Sequence, residues 1–404
     1  MRQSCTAAAV QSCLIAAALA SCADWQPTAD GFTERDLALF ETMVFVQPAS
    51  DPGNAWVDDA DAIALGQKLF FDQSLAFDTA NKPVSCATCH NPQGWFSDTR
   101  VANAVSAGVG VTNRNSPSLV NAWAYRWKGW DGRADALWNQ SIHAWVSPRT
   151  MAGTRDRLLA AVRTRYACEF ERAFGHVMPL PSWDAPSDAR DAAYVLVLKA
   201  WGAYLAQLTS RDAPFDCYAT GDRDALTTPQ KRGLALFIGK AGCIQCHSGP
   251  TFAADEFHNI GVGQSGVTGD PGRANGLKEL ALLKPVFRPE GAATPELTPA
   301  DLGKMRVKSL RHVAQTGPYF HGGQAATLKD VVWFYNQGGD RTGAGAVSPF
   351  IVPLEMSDEE LADLQAFLEA LTGQPVDARW TCDPSADATR PLAQHADVTV
   401  VDAA

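Results

Sequence analysis

Two pentapeptides carry most of the recognisable chemistry of this chain: Cys86-Ala87-Thr88-Cys89-His90 and Cys243-Ile244-Gln245-Cys246-His247. In Cys-X-X-Cys-His, two thiols add to the vinyl groups of a haem and the adjacent histidine reaches its iron. One copy in 404 residues is a weak signal. Two copies, each following a helical segment, point to two covalently bound haems c rather than to zinc or a disulfide. Cys86, Cys89, Cys243 and Cys246 are then the attachment residues, and His90 and His247 the axial ligands. The sixth position of each iron decides what it does. An iron closed by two protein ligands passes electrons, whereas an open face binds peroxide and cleaves its O–O bond. The chain has eight histidines, and none lies between His90 and His143. The first site therefore has no histidine in the loop after its motif, which leaves its sixth position to water or vacant.

The elements that must hold these motifs repeat a plan. Gly66-Gln67-Lys68-Leu69-Phe70 falls in a helical segment around Asp61 to Phe71 and precedes the first motif. Thr228-Pro229 reads as a helix N-cap followed by proline at N1, and Gly233-Leu234-Ala235-Leu236-Phe237 precedes the second motif. Each half closes with an amphipathic helix. Leu198, Trp201, Leu205 and Leu208 keep helical spacing in the first. Leu361, Leu364, Leu368 and Leu371 do so in the second, between a Ser357/Glu360 capping box and a stop at Gly373. These stripes are core packing that encloses haem edges. Strand-like alternation is scarce, and a long Gly- and Pro-rich segment runs from Phe252 to Pro299. The expected fold is all-α, with two cytochrome c-like domains at residues 33–216 and 224–378 joined near Asp212 to Asp224. An Ala/Asp-rich tail follows at residues 381–404.

A composition of 46% hydrophobic and 19% charged residues is that of a soluble chain with room for two or three domains. The net charge of −10 argues against a nucleic-acid partner, because phosphate binding needs a basic face. Ten cysteines are present: Cys5, Cys13 and Cys22 near the start, four in the motifs, and Cys168, Cys217 and Cys382. In an oxidising compartment Cys168 and Cys217 are the expected pair, which leaves one thiol over. Residues 1–22 read as a signal peptide: Arg2 is followed by an apolar stretch from Leu14 to Ala20. Leu19-Ala20-Ser21-Cys22 resembles a lipobox, so lipid attachment at Cys22 is expected, with simple cleavage near Ala20 as the alternative. No later apolar run approaches the roughly 20 residues a membrane span needs. The expected location is the periplasm, as a membrane-anchored lipoprotein.

Four further segments carry a family resemblance. Arg114-Asn115-Ser116-Pro117 precedes Trp130-Asp131-Gly132-Arg133, and Ser309-Leu310-Arg311 leads to Thr316-Gly317-Pro318-Tyr319-Phe320-His321. Together with the two haem motifs, over roughly Ala62 to Gly373, they resemble the bacterial dihaem cytochrome c peroxidase/MauG superfamily. The resemblance implies a hydrogen peroxide-using oxidoreductase whose first haem is peroxidatic and whose second transfers electrons. It implies a small redox protein as donor, a cytochrome c or a cupredoxin. Members of the MauG and MbnH type instead oxidise tryptophan or another aromatic residue in a partner protein, so that activity is the alternative. A dihaem electron carrier without peroxide chemistry is the third reading.

The same resemblance assigns roles by position. Trp130 matches a relay between the haems and Gln140 a distal-pocket glutamine. Thr150 stands where the family's acid–base glutamate is expected, and a hydroxyl of high pKa cannot shuttle protons near neutrality as a carboxylate can. Ala144 replaces a pocket proline. His143 beside it is a substitute proton carrier, its ordinary pKa being about 6.5. At the second haem, Tyr335 falls at the sixth-ligand position, where peroxidases commonly place methionine. Met305 and Met356 are rivals, and a hydrogen-bonded core tyrosine is the bland alternative. The resemblance also implies one calcium between the haems, held by Asn115, Thr316 and Pro318. Arg133 and Arg311 are candidates to pair with haem propionates or with aspartates. Of twelve tryptophans, Trp123, Trp127, Trp130, Trp138 and Trp145 fall on the first-haem side and are expected to pack there.

Overall fold

The computed structural model describes residues 30–46, 51, 53–78, 80–100, 106, 108–263 and 269–384. The expected signal peptide, and the tail beyond residue 384, lie outside the described residues. The first half holds α1 (Glu34–Thr42), α2 (Ala60–Phe71), α3 (Cys86–Cys89), α4 (Gln140–Val146), α5 (Arg155–Arg165), α6 (Ala167–Phe174) and α7 (Ser187–Ala206). Then come α8 (Pro214–Ala219), α9 (Thr228–Ile238), α10 (Arg273–Leu282), α11 (Leu328–Asn336) and α12 (Asp358–Glu369). Extended structure among the described residues amounts to two antiparallel ribbons: Ala76–Phe77 with Pro83–Val84, and Phe257–His258 with Met305–Arg306. The fold is thus helix-rich, as the scarcity of alternating patterns implies. Among the described residues no helix is long and apolar enough to cross a membrane.

Two separate hydrophobic cores form, one around each motif. In the first, Leu65, Leu69 and Phe70 of α2 pack with Leu198, Trp201 and Tyr204 of α7. In the second, Leu234 and Phe237 of α9 pack with Leu364, Phe367 and Leu368 of α12. The repeated glycines explain both crossings. A Cβ on Gly66 would collide with the Ala200 carbonyl oxygen, and one on Gly233 with that of Asp363. Only a missing side chain lets the helix backbones touch there. Each close crossing fixes the helix that leads into a motif loop.

The chain ends exchange halves. Phe32, Phe40 and Met43, from α1 and its flanks, pack in the second core with Phe215 and Tyr218 of α8. Val376 and Trp380, near the other end, pack with the first core. There the Tyr204 hydroxyl donates to Trp380 O at 2.6 Å, and Gln67 Nε2 donates to Arg379 O at 2.7 Å and Cys382 O at 3.0 Å.

Several local expectations need correction. Thr227, not Thr228, caps α9: its hydroxyl accepts from Gln230 N and the Gln230 side chain closes the box. Helix α12 ends at Glu369 with Ala370 as C-cap, so Gly373 lies beyond its end, where a Cβ would collide with Arg211 O. The Ser357/Glu360 box does form. The Gly- and Pro-rich segment from Phe252 to Pro299 contains α10. Cys168 and Cys217 do not pair. Cys217 is in a disulfide, whereas Cys168 and Cys382 are free thiols. The reason is placement: α6, which carries Cys168, packs in the first core, while α8, which carries Cys217, packs in the second.

Candidate haem-binding sites and the polar bridge between them

Each motif histidine is held the same way. His90 Nδ1 lies 3.1 Å from Phe96 O, and His247 Nδ1 lies 2.8 Å from Phe252 O. A carbonyl at Nδ1 fixes the proton there and leaves the Nε2 lone pair for a metal. Burial pushes His247 down to about 4 and lowers His90 as well, so both rings are neutral near pH 7, as a ligand must be. None of Cys86, Cys89, Cys243 and Cys246 is in a disulfide. Burial pushes the Cys86 and Cys243 thiols up to about 12.

A large, mostly apolar cavity opens over the second motif. Cys243, Cys246, His247 and Tyr335 of α11 all line it. Burial raises the Tyr335 phenol above its ordinary pKa, and the facing Cys243 and Cys246 thiols raise it further. No group among the described residues takes a hydrogen bond from its hydroxyl. Met305 also lines this cavity, whereas Met356 packs in the second core with its backbone pinned by Asn336. Two basic side chains, Arg306 and Lys308, stand on the cavity wall, and burial lowers the pKa of both, that of Lys308 strongly. Among the described residues neither has a carboxylate within ion-pair distance. Arg306 is 4% exposed, and its guanidinium donates to the Gly129 and Val307 carbonyls, both at 3.3 Å. An apolar slot with two thiols, a metal-ready imidazole and two basic side chains suits a haem with its two propionates. Sequence patterns gave no hint of Arg306 or Lys308, because nothing in a linear pattern marks a buried basic side chain.

The polar groups between the two cores belong to one network. Trp130 Nε1 donates to Asn115 O at 2.8 Å, and Lys308 Nζ lies 4.6 Å from its ring centroid. Asp131, fully buried, takes Arg114 at 2.7 Å and Arg133 at 2.6 Å, and Arg114 also grips Asp270 at 2.6 Å. Burial raises the Asp131 carboxyl, but the two guanidinium groups outweigh it and hold it at about 2. Arg133 pairs with Asp131 and Glu279, and Arg311 pairs with Asp216 at 2.7 Å. Both arginines thus pair with aspartates.

On the first-haem side, Gln140 opens α4 and its Oε1 is buried without a partner. The Thr150 hydroxyl donates to the Ala144 and Ser147 carbonyls, closing the turn after α4. His143 faces away from that turn. Its Nε2 lies 2.9 Å from Arg133 O and its Nδ1 lies 3.4 Å from the Glu279 carboxylate. Burial lowers its pKa, and Arg133 adds to the effect. Asn115, Thr316 and Pro318 do converge: all three line the cavity wall, and Asn115 Nδ2 lies 3.5 Å from Pro318 O and 3.2 Å from Asp98 O. Among the described residues no cluster of three or more His, Cys, Asp or Glu side chains is arranged for a metal. The tryptophans are largely packing. Trp138 and Trp145 are fully buried, and Trp145 meets Trp201 at 6.0 Å.

A helix-rich fold with two cores, each presenting a Cys-X-X-Cys-His loop whose histidine is aimed by a carbonyl, defines a protein built for c-type haem. The family model for di-haem cytochrome c peroxidases matches residues 60–224. Methylamine utilization protein MauG of Methylorubrum extorquens is 35% identical, over 86% of this chain and 88% of its own length. Cytochrome-c peroxidase IdrP1 of a Pseudomonas species is 34% identical, over 78% of this chain and 81% of its own. A solved MauG-like protein associated with microbial copper homeostasis superposes with a TM-score of 0.63 at 27% identity. That match covers 83% of this chain and 98% of the other. This chain belongs to the di-haem cytochrome c peroxidase family of oxidoreductases, and the family implies two c-type haems.

Proposed function

We propose that this chain is a periplasmic dihaem peroxidase-like enzyme that reduces hydrogen peroxide, with an open first site and a closed second one. Two cytochrome c-like domains, at residues 33–216 and 224–378, each carry one haem. Bound haem supplies iron that takes peroxide at the first site and stores or passes electrons at the second. Cys86 and Cys89 hold the first haem and His90 ligates it. Cys243, Cys246 and His247 do the same for the second, with Arg306 and Lys308 placed for its propionates. Tyr335 closes the second site. The observation that carries this asymmetry is the Tyr335 phenol, which lines the same cavity as His247 and the motif thiols without a hydrogen-bond partner.

Gln140 orients peroxide in the first pocket, a role that suits a buried Oε1 with no other partner. Thr150 holds the turn after α4, since its proton is committed to Ala144 O. Proton handling falls to His143 with Glu279, because both His143 nitrogens face acceptors and burial keeps the ring neutral and free to take a proton in passing. Trp130 relays electrons between the sites. Asn115, Thr316 and Pro318 hold a calcium ion through an amide oxygen and two carbonyls. The choice between the amide oxygen and nitrogen of Asn115 is open to rotation of that group. Anchoring through a lipidated Cys22 completes this account.

The test is a peroxide titration of the holoprotein with a reduced c-type cytochrome or cupredoxin. Two donor molecules oxidised per peroxide are expected. No donor oxidation, with the haem spectra unmoved, would leave a plain electron carrier. Tyr335 also favours a second reading, in which the oxidising equivalents go to an aromatic side chain of a partner protein, because a phenolate ligand favours high oxidation states. Peroxide-dependent mass change on a tryptophan of a co-purifying protein distinguishes that outcome.

A further inference from the structure

A stacked aromatic pair joins the halves away from Trp130. Trp95, in the loop after the first motif, stacks on His312, with centroids 4.9 Å apart and planes inclined by 21°. We propose that the Trp95–His312 stack is a second electron route between the haem-binding halves, running on the proximal side in parallel with Trp130. The proposal rests on the two-haem function above.

The case is made by what lies at each end of the stack. Trp95 is bonded directly to Phe96, whose carbonyl takes the Nδ1 proton of His90 at 3.1 Å. His312 is bonded directly to Arg311, whose Nε donates to Pro250 O at 2.7 Å and whose guanidinium lies 5.2 Å from the Phe252 ring centroid. The Phe252 carbonyl takes the Nδ1 proton of His247 at 2.8 Å. The path from one proximal histidine to the other thus consists of covalent bonds, hydrogen bonds and two short aromatic contacts. Electron transfer favours such contacts over gaps, because electronic coupling falls steeply across empty space.

The stack is also hydrogen-bonded at both partners, and its His312 side is buried. The His312 ring is 2% exposed. Asn121 Nδ2 lies 3.1 Å from its Nε2 and the Gly373 N–H 3.3 Å from its Nδ1, and the neutral ring accepts from one of these two donors. Asn121 is itself fixed by Ser210, through N–H donation to Oδ1 at 3.0 Å and from Nδ2 to Ser210 O at 3.0 Å. Trp95 O accepts from the Ser118 hydroxyl at 2.6 Å. Both partners adopt left-handed backbone conformations, Trp95 at φ 55° and His312 at φ 60°, which an L-residue adopts only when its surroundings compel it.

The redox balance is simple. Reduction of one peroxide to two waters consumes two electrons and two protons, and peroxide is the oxidant. When an electron moves from the second haem to the first by this route, Trp95 gives one electron towards the His90 side and regains one from the His247 side. Its indole keeps its N–H, the imidazole stays neutral, and neither residue is changed at the end.

Stopped-flow absorbance on holoprotein with only the second haem reduced, mixed with peroxide, reads the transfer rate directly. The variants are Trp130→Phe, Trp95→Leu and His312→Asn, each single and in the Trp130→Phe background. Asparagine tolerates the left-handed backbone at residue 312, so His312→Asn tests the same stack if Trp95→Leu fails to yield holoprotein. With Trp130→Phe as reference, adding either second substitution is expected to slow the transfer about tenfold further. Trp95→Phe, which keeps an aromatic face, is expected to recover most of that loss. The resting spectra of both haems should not move, as they would if the stack served only to shape the sites. Double variants as fast as Trp130→Phe alone would overturn the route. Absence of any inter-haem transfer in the unsubstituted protein would instead overturn the function it rests on.

Discussion

The half-buried Tyr335 hydroxyl borders the cavity with no hydrogen-bond partner among the described residues. Iron ligation would give it one. Tyr335→Phe is therefore expected to change the absorption and magnetic spectra of the second haem. Unchanged spectra would point to Met305, which lines the same cavity. At the first site, Thr150→Glu should raise peroxide turnover if the loss of a carboxylate there limits proton transfer, and Glu279→Gln should lower it. If Thr150→Glu gains nothing while Glu279→Gln loses turnover, proton handling already belongs to the His143–Glu279 pair. At this scale the sequence was readable where chemistry needs fixed spacing, as in the two motifs. It was silent on Arg306, Lys308, Glu279 and the Trp95–His312 stack, because their meaning comes from what three-dimensional packing brings opposite them.

Helices α2 and α9 are the same device used twice. In each, a glycine lets the helix touch the carbonyl ridge of a later helix, α7 or α12. Gly233→Ala should force the α9–α12 crossing apart at about 1–3 kcal/mol, and Gly66→Ala should do the same at α2–α7. Melting of the holoprotein, followed at each haem, checks this; equal stability of both variants and parent would contradict it. The repeat was visible beforehand as the Gly-containing helices leading into each motif, since periodicity and spacing survive in one dimension. The exchange of chain ends was not. Phe32, Phe40 and Met43 give no sign that they will pack beside Phe215 and Tyr218 rather than in the core nearest in sequence. Helix α10 was also hidden, because it sits in a stretch whose glycines and prolines read as loop.

Across the whole molecule, the polar seam of Arg114, Asp131, Arg133, Asp270 and Glu279 ties the loop beneath Trp130 to the segment that carries α10. Breaking a buried pair leaves an uncompensated charge, so Asp131→Asn should destabilise the holoprotein by about 3–5 kcal/mol at neutral pH. The pH dependence has a definite sign. The carboxyl is held at about 2 in the folded chain, against about 3.9 when unfolded. Its contribution is therefore complete only above about pH 5 and is lost as pH falls through 4 and 2, where the gap between variant and parent should narrow. A difference that persists unchanged at pH 2 would assign the effect to shape rather than charge. The same seam separates two sites that the account makes unlike. Electron paramagnetic resonance of the resting ferric holoprotein tests that difference most directly. One high-spin signal that vanishes on adding peroxide, beside one low-spin signal altered by Tyr335→Phe, is the expected result. Two low-spin signals indifferent to peroxide would contradict the account.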